Sequence, residues 1–414
     1  MTLFFIIAVV GGLYMAWNIG ANDVANAFGT SVGSGALTIR RAVLLAAVCE
    51  FAGAFFVGSP VAQTISGSIV TPSAFSTNPE KLAIGMVAAI IGAAIWVHIA
   101  TYLSHPVSTT HAIIGAVIGF GAIAVGPQFV QWGKMGTIAA SWVVSPLVGG
   151  ILAYTIYRWG VRRYILDSRH PVFMTIRTIP PAMGSLLAII TFSIIYKGLP
   201  GLHLNLPLRW AIPLALATGL SVGLVLHVAL RKRRRRHHVP RVRRYEVIER
   251  WFGLMQIPTA CYMSFAHGAN DVANAIGPMA AAVQILRTGA LPDQIAISPW
   301  LLAIGGLGII IGLATYGYKV IEAIGKKITE ITPTRGFSAE FSTATTVLVF
   351  SKLGMPISTT FVIVGAVMGV GLARGFAAID LGVIRRIFTS WIITIPVSAI
   401  LTAGTYWFLT ALQA

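Results

Sequence analysis

Long apolar runs follow one another along this chain, separated by short polar or charged breaks. They lie near 3–18, 41–58, 82–103, 107–126, 137–157, 181–198, 210–230, 251–267, 298–318, 337–352, 357–373 and 387–410. Most match the ~20 residues that a helix needs to cross the hydrocarbon core of a bilayer. The pattern predicts an all-α, polytopic membrane protein with about twelve transmembrane segments. Several runs are short or interrupted by Gly and Pro, which predicts broken or re-entrant helices among them.

Composition agrees. The 414 residues are 56% hydrophobic and 10% charged, with a mean hydropathy of +0.81. Soluble domains carry about a quarter charged residues, so a large soluble enzyme is excluded. The first residues, MTLFFIIAVVGGLYMAW, lack the basic segment and cleavage site of a signal peptide, and read as a retained first span. Cys49 and Cys261 fall in apolar segments with no disulfide or metal spacing, and read as packing residues.

The net charge of +18 is unevenly spread. If the segments alternate from an outside N-terminus, 24 of the 30 Lys and Arg fall in one set of loops and 6 in the other. Positive charge marks the cytoplasmic side. Both termini are then outside and the run RKRRRRHH at 231–238 is cytoplasmic, in a cell-membrane, multi-pass arrangement. That run reads as a topology anchor or as a patch for anionic lipid. No aromatic residues or nucleic-acid modules accompany it, so no nucleic-acid partner is expected.

The chain repeats internally. GANDVANAFGT at 20–30 matches GANDVANAIGP at 268–278 in nine of eleven positions. PVSTTHAIIGAVIGFG at 106–121 matches PISTTFVIVGAVMGVG at 356–371 in ten of sixteen. The offsets, 248 and 250, are nearly equal, which indicates a duplicated unit. Under the charge-derived topology the copies run in opposite directions, as in many secondary transporters. The expected organisation is a first inverted repeat at 1–157, two linking spans with the basic loop 231–250 at 158–250, and a second repeat at 251–414.

The repeated motifs carry chemistry that is costly in hydrocarbon. Asn22, Asp23 and Asn26, and again Asn270, Asp271 and Asn274, offer carboxylate and amide oxygens that suit a hard cation. A helix broken at the motif glycine would add backbone carbonyls; the bland alternative is interhelical hydrogen bonding. The triplets Ser108, Thr109, Thr110 and Ser358, Thr359, Thr360 open apolar helices after a proline. Helix N-termini with hydroxyls suit an oxyanion, whereas simple capping is the bland alternative. Cations beside such an anion would couple the two ligands. A carboxylate would accept a hydrogen bond from protonated phosphate and repel sulfate.

Glu50 and Glu340 also lie in apolar runs, as proton carriers, gates, cation ligands or satisfied buried acids. His111 reads as a packing or hydrogen-bonding residue, and Gln63 and Thr64 in PVAQTISGS are further polar candidates. With no nucleophile, cofactor motif or nucleotide loop, no enzyme activity and no cofactor are expected.

On GANDVANAFGT, FAHGANDVANAIGP, PVSTTHAIIGA and PISTTFVIVGA, the chain resembles the inorganic phosphate transporter (PiT) family. The resemblance implies a cation–phosphate symporter with inverted repeats. It implies ion binding at Asn22, Asp23, Asn26, Asn270, Asp271 and Asn274, and phosphate binding at Ser108–Thr110 and Ser358–Thr360. It implies that Glu50 and Glu340 are needed for transport. GTSVGSGALT at 29–38 is similar to the sodium-coupled branch. Phe361, where relatives often have His, departs from the pattern and argues against a symmetric role for His111. The expected function is Na⁺-coupled phosphate symport by alternating access; proton coupling or sulfate transport are the near alternatives. An anion channel or a non-transporting phosphate receptor are alternatives of another class. Expected partners are phosphate, sodium ions and the bilayer, with Gly-rich faces such as GAVIGFG open to a homodimer.

Overall fold

The computed structural model describes residues 2–103, 107–196, 206–235, 240–317, 332–375 and 381–413. All twelve apolar runs form helices: α1 (Thr2–Gly33), α2 (Ile39–Val57), α4 (Pro79–Tyr102), α5 (Thr109–Ala124), α6 (Trp132–Thr155), α7 (Pro171–Ile195), α8 (Leu208–Arg235), α9 (Arg244–Thr288), α10 (Pro299–Gly312), α11 (Pro333–Lys352), α12 (Thr359–Arg374) and α13 (Leu381–Ala411). A thirteenth, α3 (Ser59–Gly67), follows α2 after a 62° bend at Gly58. α6 and α10 continue as wider π-helical turns over Ile156–Leu166 and Leu313–Gly317. Among the described residues β-structure is limited to one bridge, Val70 with Val130. Lys197, Lys319, Lys326, Lys327, residues 236–239 and the side chains of 232–235 lie outside what is described.

Seven of these helices are long and apolar enough to cross a membrane, or eight if α2 and α3 form one span. α5 and α12 have only 16 residues each. At 1.5 Å per residue each reaches about 24 Å, short of the ~30 Å hydrocarbon core. The sequence expectation of short elements does not single out these two: the apolar run at 107–126 is of spanning length, whereas 3–18 lies in the 32-residue α1.

The expected break at the motif glycines is absent. GANDVANA lies inside unbroken α1 and, in its second copy, inside the 45-residue α9. Alanine-rich sequence around each motif keeps the helix going, and the glycines serve close packing instead. A Cβ on Gly20 would lie 1.9 Å from the Ile309 carbonyl oxygen, and one on Gly268 would lie 2.1 Å from that of Glu50. Reciprocally, a Cβ added at Gly312 would overlap the Trp17 carbonyl oxygen and one at Gly53 that of Phe265. The crossing of α1 with α10 therefore reproduces that of α9 with α2. Glu50 stands where Ile309 stands in the other crossing.

Other pairings repeat in the same way. α1 packs on α4 as α9 packs on α11; α5 packs on α13 as α12 packs on α6; α4 packs on α13 as α11 packs on α6. α7 and α8 pack chiefly on each other. Exposed leucines and valines such as Leu220, Leu224 and Val228 cover the outer face of α8, as befits a helix in lipid.

Candidate functional site

The motif segments of α1 and α9 meet the first turns of α5 and α12 in the interior. Thr109 and Thr359 are the first residues of these helices, with Ser108 and Ser358 at the N-cap position. The Thr109 hydroxyl donates to Asp23 Oδ2 at 2.9 Å, and the Thr359 hydroxyl donates to Asp271 Oδ2 at 2.9 Å. The second threonines cross over: Thr110 shares its proton between the Ile357 carbonyl at 3.1 Å and Asp271 Oδ1 at 3.3 Å, and Thr360 donates to Asp23 Oδ1 at 3.4 Å. Each carboxylate is thus held by hydroxyls from both halves of the chain.

The asparagines complete the pattern. Asn26 donates to Asp23 at 3.3 Å and to Thr360 at 2.8 Å. Asn274 donates to Asp271 at 3.0 Å, to Thr110 at 3.1 Å and to Thr109 at 3.2 Å. Asn22 donates to Thr101 at 2.6 Å and Asn270 to Ser351 at 3.0 Å, and these two acceptors are 250 residues apart. His111 and Phe361, also 250 apart, touch edge to face with centroids 5.1 Å apart, and His111 packs on Trp142 at 3.8 Å. The structure therefore brings Asp23, Asn26, Asp271, Asn274, Thr109, Thr110, Thr359 and Thr360 into one hydrogen-bonded centre, whereas Asn22 and Asn270 bond to Thr101 and Ser351.

The centre is buried. Asp23 and Asp271 are 1% exposed, and Ser108, Thr109, Ser358 and Thr359 are 2% exposed. Ligand atoms of Asp23, Asp271 and His267 lie within 4.8 Å of one another. Two carboxylate charges at that separation repel by about 3.5 kcal/mol at an effective dielectric of ~20, so cations between them are favoured. The carbonyl oxygens of Asn270 and Asn274 and the Ser358 hydroxyl are buried without a hydrogen-bond partner in the protein. Such orphaned oxygens call for an ion, a water or a ligand. With the carboxylates they form the oxygen-rich set that a hard cation takes. Ser108 differs from its counterpart: its side chain caps α5 by accepting from the His111 N–H at 3.2 Å.

Glu50 and Glu340 occupy different surroundings. Glu340 on α11 accepts from Thr30, from Ser31 at 2.6 Å, from Gln256 at 3.1 Å and from Thr259 at 2.7 Å. Thr30 and Ser31 belong to the GTSVGSGALT stretch at the end of α1. Glu50 faces His267: Oε1 is 3.2 Å from His267 Nδ1, and Nε2 of that ring is 3.0 Å from Asp271 Oδ2.

The sequence reading gave no role to His267, Gln256, Thr259, Thr101 or Ser351. Two signals were present. His267 precedes Asp271 by one helical turn, which puts both on one face, and Thr101 and Ser351 obey the repeat offset. Of the weaker candidates, Thr64 donates to the Gly354 carbonyl at 2.7 Å, whereas the Gln63 side chain is exposed. Cys49 and Cys261 are free thiols, half-buried.

Helices of spanning length around an interior polar centre define a multi-pass membrane protein of the transporter class. The chain belongs to the phosphate transporter family, whose model matches residues 19–402. A phosphate permease of Pyrococcus abyssi is 46% identical over 399 residues, covering 96% of each chain. Inorganic phosphate transporter 2-1, chloroplastic, of Arabidopsis thaliana is 42% identical over 428 residues, covering 96% of this chain and 71% of that protein. A solved structure described as a sodium-dependent phosphate transporter is 41% identical, with a TM-score of 0.92, over 99% of this chain and 100% of that one.

Proposed function

We propose that this chain is a secondary active transporter that couples Na⁺ entry to phosphate entry by alternating access. The observation that carries the reading is the double cross-link at the centre, where each aspartate accepts a threonine hydroxyl from both halves. Cations at Asp23 with Asn22 and Asn26, and at Asp271 with Asn270 and Asn274, would neutralise the carboxylates. The hydroxyls of Thr109, Thr110, Thr359 and Thr360, with Ser108 and Ser358, would then turn to phosphate at the N-termini of α5 and α12. Sodium binding thereby raises phosphate affinity, and the reverse follows by linkage. The similar sodium-dependent transporter favours Na⁺ over H⁺ as the coupling ion. Glu340, with Thr30, Ser31, Gln256 and Thr259 around it, is a second polar node on the path between the halves. Binding and movement need no covalent step, so no enzyme role and no cofactor are assigned.

The two halves, 1–157 and 251–414, act as inverted repeats joined by 158–250, in a cell membrane with both termini outside and the loop 231–250 in the cytoplasm. Contacts between helix ends support this topology. Arg287, near the end of α9, lies over Phe5 at the start of α1 (5.2 Å) and Trp300 at the start of α10 (5.5 Å). Gln413, beyond the end of α13, donates to Glu80 at the start of α4 at 2.9 Å. The alternation assigns all five ends to the outer face. At the inner face, Thr334 at the start of α11 donates twice, at 2.9 Å, to Glu249 near the start of α9. Re-entrant hairpins α4–α5 and α11–α12 would leave this alternation unchanged. The Gly-rich faces admit a homodimer.

Uptake of labelled phosphate into proteoliposomes at fixed pH tests the reading, with an inward Na⁺ gradient against an equal K⁺ gradient. Sodium-dependent accumulation is expected. Uptake indifferent to sodium but driven by an inward proton gradient would overturn the sodium assignment.

A further inference from the structure

The centre is symmetric in its hydroxyls and amides but not in its charges. His267 is fully buried, with a carboxylate oxygen beside each ring nitrogen: Glu50 at 3.2 Å and Asp271 at 3.0 Å. Glu50, on α2, is also fully buried. The equivalent positions in the other half are Ile19, by the 248-residue offset, and Ile309, by the matched helix crossing; both are fully buried apolar residues. Asp23 therefore has hydroxyl and amide partners, whereas Asp271 has an imidazole besides.

We infer that Glu50 and His267 are positioning residues that form a strut fixing Asp271, so that the two cation half-sites are inequivalent. The inference rests on the sodium-coupled reading above and deepens it. Asp271 Oδ2 accepts from the Thr359 hydroxyl and lies 3.0 Å from the imidazole Nε2. Glu50 Oε1 lies 3.2 Å from the other ring nitrogen, so the imidazole sits between two carboxylates. The contact of Gly268 with the Glu50 backbone carbonyl sets the spacing of α2 and α9, and with it the length of the strut. A pre-oriented carboxylate loses less freedom on binding an ion, so the Asp271 half-site binds sodium tightly and the Asp23 half-site weakly. Glu50 then acts on transport through His267 and need not carry an ion itself.

The test is sodium activation of phosphate uptake in proteoliposomes of wild type, Glu50→Gln, His267→Gln and the double variant. Phosphate half-saturation is measured in parallel at saturating sodium. The strut predicts that sodium half-saturation rises about tenfold, or about 1.4 kcal/mol, in both single variants and by no more in the double, because the two residues act as one unit. Phosphate half-saturation stays within about twofold. Single effects that multiply in the double variant would overturn the strut, as would phosphate half-saturation moving as far as that for sodium. If the Gln variants fail to fold, Glu50→Ile with His267→Ile reproduces the pair that the other half already buries. The same sodium shift there supports the strut, and an unchanged sodium response overturns it. Wild type that ignores sodium would overturn the coupling reading itself, an outcome distinct from failure of the variants alone.

Discussion

Asp23 and Asp271 each accept two threonine hydroxyls and one asparagine amide. A carboxylate surrounded by donors is stabilised while charged, and its amide replacement would set N–H groups against them. Asp271→Asn should therefore lower sodium-driven uptake at least tenfold while leaving membrane insertion intact; wild-type uptake in a correctly inserted variant would remove Asp271 from the cation site. Thr109→Val with Thr359→Val deletes one donor to each aspartate without changing side-chain size. Phosphate half-saturation should rise at least tenfold, since a hydrogen bond to a charged group contributes about 1.5–3 kcal/mol, and sodium half-saturation should rise less. Isothermal titration of each ligand in detergent separates the two effects.

At the scale of the element, the motif glycines act through contact. Gly20 and Gly268 let α1 and α9 approach the backbones of α10 and α2 so closely that a methyl group would overlap a carbonyl oxygen. Backbone cannot swing aside as a flexible side chain can. Overpacking of this kind costs about 1–3 kcal/mol, so Gly20→Ala and Gly268→Ala should each lower the thermal midpoint and the yield of monodisperse protein. Gly133 and Gly136, with nothing within 4 Å of an added Cβ, provide controls in α6. Alanine there should be neutral or slightly stabilising, because glycine within a helix is unfavourable by about 1 kcal/mol. Equal losses at all four positions would show that helix propensity, not contact, sets the result.

Across the whole molecule, the bonds of Thr110 and Thr360 join the two sequence copies at the aspartates. Under the proposed alternating access, motion of one copy against the other would exchange these bonds. Ligands that bridge the two copies should stabilise the fold by mass action. The thermal midpoint in detergent should rise more with sodium and phosphate together than the sum of the separate shifts. Additive shifts would argue against coupling at a shared centre.

The sequence by itself determined the membrane class, the helical runs, the duplication and the repeated aspartates, asparagines and threonines that meet in the interior. Those properties follow from local quantities: apolar run length, the cost of polar groups in hydrocarbon, and self-similarity at a fixed offset. It also marked where α5 and α12 begin, since proline before Ser-Thr-Thr is a local helix-start signal. Only the tertiary structure decided that GANDVANA lies within unbroken helices, because the use of a glycine for a bend or for a close approach depends on a helix distant in sequence. Likewise, only the fold brought the two aspartates and the Ser-Thr-Thr helix starts together and set His267 between Glu50 and Asp271. Glu50 and His267 are 217 residues apart and break the repeat. A rule read from the repeat cannot find them, because their pairing exists only where α2 crosses α9.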